Sequence, residues 1–185
     1  DSRMAEECQR QKIPVICTTI DPHSPLASRS TVVIDKLCGR EESFIETKTH
    51  MASLMIFFLC LVETAKQQKR LDDAAYAYYQ NYFTQLPTHI EQILTDTSAW
   101  FHQHSDIVTN AAMARYIGAG PYYALAKEGG LKIAEAASIA SLPYEVEEFM
   151  HTGTTQITSD TLFFLIVPRH VTVSYTHLTL PTIRL

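Results

Sequence analysis

The sequence lacks the cysteine patterns that hold a zinc ion or a disulfide framework. Its four cysteines are widely spaced, with no Cys-x-x-Cys pair and no cysteine–histidine spacing typical of a zinc site. We expect buried or inert thiols in a reducing cytoplasm. His102 and His104 are a weak metal candidate, because alternate positions on a helix point in different directions and no carboxylate lies at a supporting spacing. The sequence predicts no metal and no cofactor.

Positive charge and long apolar runs are also scarce. The 185 residues carry 15 Lys and Arg against 20 Asp and Glu, a net charge of −5, which gives no basic surface for nucleic acid or for an anionic membrane. The most apolar run, residues 53–62, is about half of the roughly 20 residues that a bilayer crossing needs. We therefore expect a buried helix of a soluble protein, with no nucleic acid and no membrane as partner.

What the chain does contain is an alternation of helical and strand patterns. The 46% apolar content suits one ordinary α/β domain or parts of two. The patterns predict a helix at the start, strands within 12–20 and 31–37, and an apolar helix over 49–68. A polar and aromatic stretch over 71–110 predicts two or three helices, interrupted at Pro87. The order ends with a strand leading into a Gly-x-Gly turn, a helix over 121–140, and a strand over 161–168. We expect this last strand to be buried on both faces.

These patterns divide the chain into four predicted parts. Residues 1–48 and 113–173 each predict an incomplete α/β unit, and residues 49–112 predict bridging helices. Residues 174–185 continue neither a helix nor a strand and look like a translated adaptor, so we expect a non-native tail. The chain is expected to be an internal piece of a longer protein.

Three charged side chains group beside the apolar face of the helix over 121–140. At about 100° per residue, Glu128, Lys132 and Glu135 share a sector of about 60°. That sector flanks an apolar stripe of Tyr122, Leu125, Gly129, Ile133, Ala136 and Ala140, whereas Lys127, Ala134 and Ser138 face solvent. A surface ladder worth a few tenths of a kcal/mol is the simpler interpretation for an arbitrary helix.

Two neighbouring features favour a functional interpretation of this helix. Gly118 and Gly120 precede it, and glycines allow a ligand to approach the backbone closely. They do not form a dinucleotide fingerprint, because Tyr123 occupies the third glycine position. A further polar cluster, "YEVEEFMH", follows the helix and ends at His151.

The motif residues together resemble the SIS (sugar isomerase) domain family. In that family a Gly-x-Gly turn leads into a helix with Glu-x-x-Leu-Lys-x-x-Glu, and a Glu-x-x-His follows; the matching residues are Glu128, Leu131, Lys132, Glu135, Glu148 and His151. In the first unit, the segment "LCGREESFIETKTHMASL" is similar to the family's Gly-x-Glu and Thr-Lys motif, at Gly39, Glu41, Thr47 and Lys48. The likeness is nearest to the isomerase part of glucosamine-6-phosphate synthases and to ketosamine-6-phosphate deglycases.

The resemblance implies a fold and a chemistry. The fold is α/β, with two incomplete SIS units, each an open parallel sheet flanked by helices in a flavodoxin-like or Rossmann-like manner, joined by a helical bridge. The chemistry is ring opening of an amino-sugar phosphate and proton movement between C1 and C2. Glu135 would be the base, His151 would handle ring opening, in its own or a neighbouring subunit, and Lys132 would support the site. Gly118 and Gly120 would bind substrate, and the protein would be a cytoplasmic homodimer.

Other interpretations stay open on the sequence. A deglycase acting on a 6-phosphorylated ketosamine is one, and a non-catalytic phosphosugar sensor is another. The family's phosphate-binding loops lie outside this chain, so we expect the isolated chain to be inactive.

Thr152-Gly153 replaces the family's Gly-Pro after the histidine. We expect Gly39–Glu42 to have a structural role at the sheet edge. The cluster of Tyr76, Tyr78, Tyr79, Tyr82 and Phe83 predicts packing or a dimer surface rather than a sugar platform.

Overall fold

The computed structural model describes residues 2–167, and contacts divide the chain into two compact units, Asp1–Ile93 and Leu94–Leu185. The predicted non-native tail at 174–185 and the end of the predicted strand at Pro168 lie outside the described residues. The predicted division into 1–48, 49–112 and 113–173 stays a prediction.

The first unit contains the predicted helix and two strands near its start. Strands β1 and β2 pair in parallel, with Ile16 opposite Val32. Its buried apolar residues are Ala5, Cys17 and Ala27. The bounds of its elements are α1 Ser2–Arg10, β1 Ile16–Thr19, a 3-10 turn Ala27–Arg29, β2 Val32–Asp35, α2 Lys48–Gln67 and the start of α3, Asp73–Thr109.

Glu41 caps the amino end of α2. Its carboxylate accepts hydrogen bonds from the backbone N–H of Thr49 at 2.8 Å and of Lys48 at 3.2 Å. These bonds, the one from Thr49 foremost, lower the pKa of Glu41 from 4.5 to about 2. The first turn of a helix has N–H groups without intrahelical partners, which explains why a carboxylate is bound there. Gly39–Glu42 therefore has a structural role, at a helix end rather than at the predicted sheet edge.

Replacing Glu41 by Gln is expected to lower the stability of the first unit in a pH-dependent way. Because the folded-state pKa is depressed, the ionised cap stabilises the fold above about pH 4.5, and this contribution is lost as the pH falls towards about 2. Urea unfolding of both proteins over this pH range measures the effect. Glu41→Gln should unfold at lower urea than the wild type at neutral pH, and the difference should shrink on acidification. A difference that is independent of pH would contradict the capping role.

Helix α2 is far more exposed than the sequence predicts. Thr49 is its one buried residue, whereas Phe57, Phe58 and Leu61 are more than half exposed. By length and composition alone, α2 could cross a membrane, with a mean hydropathy of 1.3 over an 18-residue window. The prediction of a buried helix is therefore wrong for the described residues, because no described element covers most of its apolar surface.

Helix α3 continues through Pro87 and breaks at His104. There the backbone leaves helical geometry, with φ −127° and ψ 21°. The His104 ring stacks on Trp100 at 4.9 Å, and its Nδ1 lies 2.9 Å from the Trp100 carbonyl oxygen. In a regular helix the Trp100 carbonyl oxygen would accept a hydrogen bond from the backbone N–H four residues later. Here the His104 ring contacts that oxygen. The predicted interruption at Pro87 is wrong, and the break falls at His104, where this side-chain contact is made.

The second unit is a parallel three-stranded sheet. Its strands are β3 Met113–Gly118, β4 Ala140–Glu145 and β5 Thr161–Ile166, in the order β4-β3-β5. The central strand β3 is the most buried, and β5, predicted to be buried on both faces, is partly exposed, with Leu165 at 49%. In the described residues β5 pairs on one side only, so it is an edge strand of the sheet.

Strand β4 begins at the end of the predicted helix and runs into the polar cluster, where the sequence predicts no strand. Helix α4, Tyr122–Ala137, ends at Ser138, which adopts the left-handed conformation with φ 54°. The chain then enters β4 directly at Ala140. Pro143 lies within β4, and it is tolerated because β4 is an edge strand of the described sheet.

The two faces of this sheet carry different elements. Tyr116 points to the face that α4 covers, since a Cβ added at Gly129 would lie 2.6 Å from the Tyr116 ring. Ile117, the next residue, points to the opposite face, where it packs with Phe149 of the short helix α5, Val146–His151. Helices α4 and α5 therefore lie on opposite faces of the sheet.

Candidate functional site

The predicted charge cluster forms on α4. Lys132 Nζ lies 3.1 Å from Glu135 Oε2 and 3.4 Å from Glu128 Oε1, and the three side chains are 24–33% exposed. The hydrogen bond with Glu135 is the main cause of the raised pKa of Lys132. Lys132 therefore remains a cation between two carboxylates. The Lys132 ammonium group holds the Glu135 side chain in place.

The apolar stripe of α4 is rotated relative to its prediction. Ala126 and Gly130 are the buried positions, whereas Leu125, predicted to be in the stripe, is 48% exposed. The two small residues allow the helix to lie close to the sheet, since a Cβ at Gly130 would approach Ser141 Oγ at 3.0 Å. Lys127, Ala134 and Ser138 are exposed, as predicted.

The Gly-x-Gly turn connects β3 to α4 and lies beside the carboxylate of Glu145. A Cβ at Gly118 would lie 2.4 Å from the Tyr122 carbonyl oxygen, so this glycine is needed for packing against the first turn of α4. Gly120 has φ 52° and open space around it. Its N–H points to Glu145 Oε1 at 3.5 Å. Substrate binding by Gly118 and Gly120 stays a prediction, and Gly118 has a structural role of its own.

Glu145 is a residue of this region that sequence reasoning missed. It ends β4 and caps α5, with Oε2 accepting from the Glu147 N–H at 2.8 Å. A partly buried carboxylate beside the turn would weaken the binding of an anion there. Glutamate is not among the residues preferred at a helix N-cap, so no sequence signal marks this role of Glu145.

His151 is the last residue of α5, and its side chain is exposed. The helix is anchored by Phe149, which is 2% exposed and packs edge-to-face against Tyr144 and Phe163. A Cβ at Gly153 would lie 2.0 Å from the Phe149 ring. Thr152 ends the helix, with its N–H and its hydroxyl both donating to the Glu148 carbonyl. Thr152-Gly153 therefore serves to end α5 and to make room for Phe149.

The turn that follows His151 is fastened to the sheet by a polar network. Gln156, at the end of the 3-10 turn Gly153–Gln156, accepts from Arg115 Nη2 at 3.1 Å and from the Tyr144 hydroxyl at 3.3 Å. Arg115 is 6% exposed on β3. These contacts fix the segment carrying His151, and no periodic pattern in the sequence points to them.

The predicted site residues lie in three separate places. Lys132 and Glu135 are near the end of α4, about 20 Å along the helix axis from the turn at Gly120. His151 lies on the opposite face of the sheet from α4. A single chain therefore brings Lys132 and Glu135 together, but it brings neither to His151 nor to the glycine turn. Within residues 2–167, no group of three His, Cys, Asp or Glu side chains could hold a metal ion.

The open parallel sheet with helices on both faces is the fold of SIS domains, as comparisons with solved structures show. The C-terminal domain of glucosamine-fructose-6-phosphate aminotransferase from Francisella tularensis matches with a TM-score of 0.83 at 21% identity, over 92% of this chain and 49% of that one. A Clostridium difficile protein provisionally named a phosphosugar isomerase matches with a TM-score of 0.82 at 20% identity, over 90% and 47%.

Sequence comparison identifies relatives of the same kind. The glutamine–fructose-6-phosphate aminotransferase (isomerizing) of Thermosynechococcus vestitus is 30% identical over 130 residues, which are 70% of this chain and 21% of that protein. That of Neisseria meningitidis serogroup A is 27% identical over 139 residues, 74% and 22%. No family model matches the chain. The chain belongs to the SIS family, and it spans about a fifth of the length of these curated relatives.

Proposed function

We propose that this chain supplies acid and base groups for aldose–ketose isomerase chemistry on an amino-sugar phosphate, as part of a glucosamine-6-phosphate synthase type of enzyme. The observation that carries the proposal is the contact of Lys132 with Glu135 on α4. Its position in the motif matches the family's base-bearing helix, and the named relatives are isomerizing aminotransferases. A sensor would need no such base.

The chemistry follows from the properties of the three side chains. Glu135 removes the proton beside the carbonyl and returns it to the neighbouring carbon. Lys132 holds this carboxylate by a hydrogen bond and stabilises negative charge that develops on the substrate oxygen. The imidazole of His151 can both donate and accept a proton while the sugar ring opens. Proton transfer between adjacent carbons needs only such acid and base groups.

A homodimer would allow Glu135 and His151 to act on one substrate. The sheet separates them within one chain, so the histidine reaches the base only if it comes from a second copy. In a two-fold dimer each copy would lend His151 to the other, which produces two equivalent sites. We propose the cytoplasm as its location, with a phosphorylated sugar or amino sugar as ligand.

Deuterium exchange tests the proposed chemistry. The full-length gene product is incubated with fructose 6-phosphate in deuterated water, and deuterium at C2 of the aldose phosphate is followed by NMR. The proposal predicts exchange. Binding without exchange would indicate a sensor. Release of an amine from a 6-phosphorylated ketosamine, with no exchange in the free hexose phosphate, would indicate a deglycase. Either outcome would overturn the isomerase assignment.

A further inference from the structure

The central strand of the second unit carries a buried arginine that pairs with no carboxylate in the part of the chain that the structure describes. Arg115 is 6% exposed on β3. Because it lies two positions from Ile117, its side chain points to the same face of the sheet, the face on which α5 packs. The residues opposite Arg115 on the neighbouring strands are the apolar Leu142 and Phe163. A guanidinium group is therefore held beside apolar side chains.

The hydrogen bonds of Arg115 do not compensate for the burial of its charge. Nη2 donates to Gln156 Oε1 at 3.1 Å, and Nη1 donates to the Ala114 carbonyl oxygen at 3.4 Å. Nε is buried and has no hydrogen-bond partner. A buried charge needs a partner of opposite charge or a full set of hydrogen bonds, and Arg115 has neither among residues 2–167. For stability alone, an apolar side chain of similar length would serve at least as well.

The side-chain acceptor of Arg115 belongs to the segment that carries His151. Gln156 ends the 3-10 turn Gly153–Gln156, and only Thr152 separates this turn from α5. The same Gln156 oxygen accepts the Tyr144 hydroxyl at 3.3 Å, and the Gln156 side chain is exposed. Without Arg115 this oxygen would keep the tyrosine and gain water, so the fold does not need a cation to satisfy it.

We propose that Arg115 is a positioning residue for His151, and that its buried charge holds the segment carrying the histidine against the sheet. His151 is exposed, so its position is set by the backbone on either side of it. Phe149 anchors this backbone before the histidine, and Gln156 anchors it afterwards. A cationic donor holds the second anchor more strongly than a neutral one, which gives the charge a function. The inference rests on the role proposed for His151 in ring opening.

Arg115→Met in the full-length gene product separates positioning from stability. Methionine is unbranched and of similar length, but it has neither the charge nor the bond to Gln156. The urea midpoint should be no lower than that of the wild type, because a desolvated charge is removed. The maximal rate of deuterium exchange at C2 should fall at least about tenfold, since misplacing a reacting group by about 1 Å can cost about 10²-fold. The KM for fructose 6-phosphate should stay within about twofold, because the substitution leaves uniform substrate binding intact.

Two matched variants identify the charged donor as the cause. Arg115→Lys keeps a cationic donor for Gln156 and should retain the wild-type rate to within about threefold. Tyr144→Phe removes the neutral donor to the same oxygen but keeps an aromatic ring against Phe149, so its rate should also stay within about threefold.

Hydrogen exchange followed by mass spectrometry reports the attachment of the segment without any catalysis. Residues 146–156 should exchange at least about tenfold faster in Arg115→Met than in the wild type, because the segment opens locally once its second anchor is lost. Exchange of β3 should be the same in both proteins.

A wild-type rate in Arg115→Met would overturn the proposal, and so would a rate and a urea midpoint that fall together, which would indicate a structural role. Equal hydrogen exchange of residues 146–156 in the two proteins would also overturn it. If the wild type itself shows no C2 exchange, the proposed function fails, and the hydrogen-exchange comparison alone then decides whether Arg115 holds this segment.

Discussion

Replacing Glu135 by Gln is expected to abolish proton exchange at C2 of the sugar phosphate while leaving sugar binding unchanged. The amide is nearly isosteric with the carboxylate and keeps an oxygen for Lys132, but it cannot accept the carbon-bound proton. A positioned general base contributes roughly 10²–10⁴-fold, so the exchange rate should fall by that factor. NMR measurement of exchange in the full-length gene product gives the rate, and titration with fructose 6-phosphate gives the affinity.

Glu128→Gln is the matched control for this prediction. Glu128 also contacts Lys132, at 3.4 Å, and it lies nearly two turns earlier on the same helix. Its loss removes a neighbouring charge but no proton acceptor from the proposed chemistry, so the rate should fall by less than about tenfold. Equal effects of the two substitutions, or persistent exchange in Glu135→Gln, would show that the base is another residue.

Replacing Gly153 by Ala is expected to destabilise the second unit by about 3 kcal/mol, at the upper end of overpacking effects. The added methyl would lie 2.0 Å from a ring carbon of Phe149, and this ring is 2% exposed between Tyr144 and Phe163. Because the ring already packs against both of these aromatic side chains, we expect α5 to shift together with His151. Urea unfolding at neutral pH measures the change in the free energy of unfolding.

Thr152→Ala is the control that shows whether any substitution in this segment lowers the free energy of unfolding, or only one that clashes with Phe149. Thr152 is exposed and loses only a hydroxyl bond to the Glu148 carbonyl, so its expected cost is about 1 kcal/mol or less. In the Gly153→Ala background, Phe149→Leu should restore part of the lost stability, because the smaller side chain relieves the clash. A Gly153→Ala protein as stable as Thr152→Ala would contradict the observed packing of α5.

Much of the fold could be predicted from periodicity. Helices α1 and α2 and strands β1, β2, β3 and β5 coincide closely with their sequence patterns, because continuous apolar runs and helical spacing determine them locally. Strand β4 could not be predicted in the same way. It contains Pro143 and directly follows an apolar helix that only the left-handed Ser138 terminates. The break at His104 coincides with a stacking contact with Trp100, and helical spacing alone predicts a continuous helix there.

The residues of the candidate site likewise fall into those that local spacing predicts and those that tertiary contacts place. Glu128, Lys132 and Glu135 could be grouped from the 3.6-residue period, and the structure brings them together. The position of His151 could not be predicted, because it depends on which face of the sheet α5 covers, and that depends on β4. The roles of Glu145 and Gln156 likewise arise from contacts across strands rather than from spacing.

The sharing of one site between two copies is tested most directly by mixing two inactive variants. Glu135→Gln and His151→Asn forms of the full-length gene product are combined under conditions that exchange subunits, and C2 proton exchange is measured. If Glu135 and His151 act across copies, random pairing makes about half of the dimers mixed, each with one intact site, and about a quarter of the wild-type rate should return. A mixture no more active than the separate variants would contradict the account.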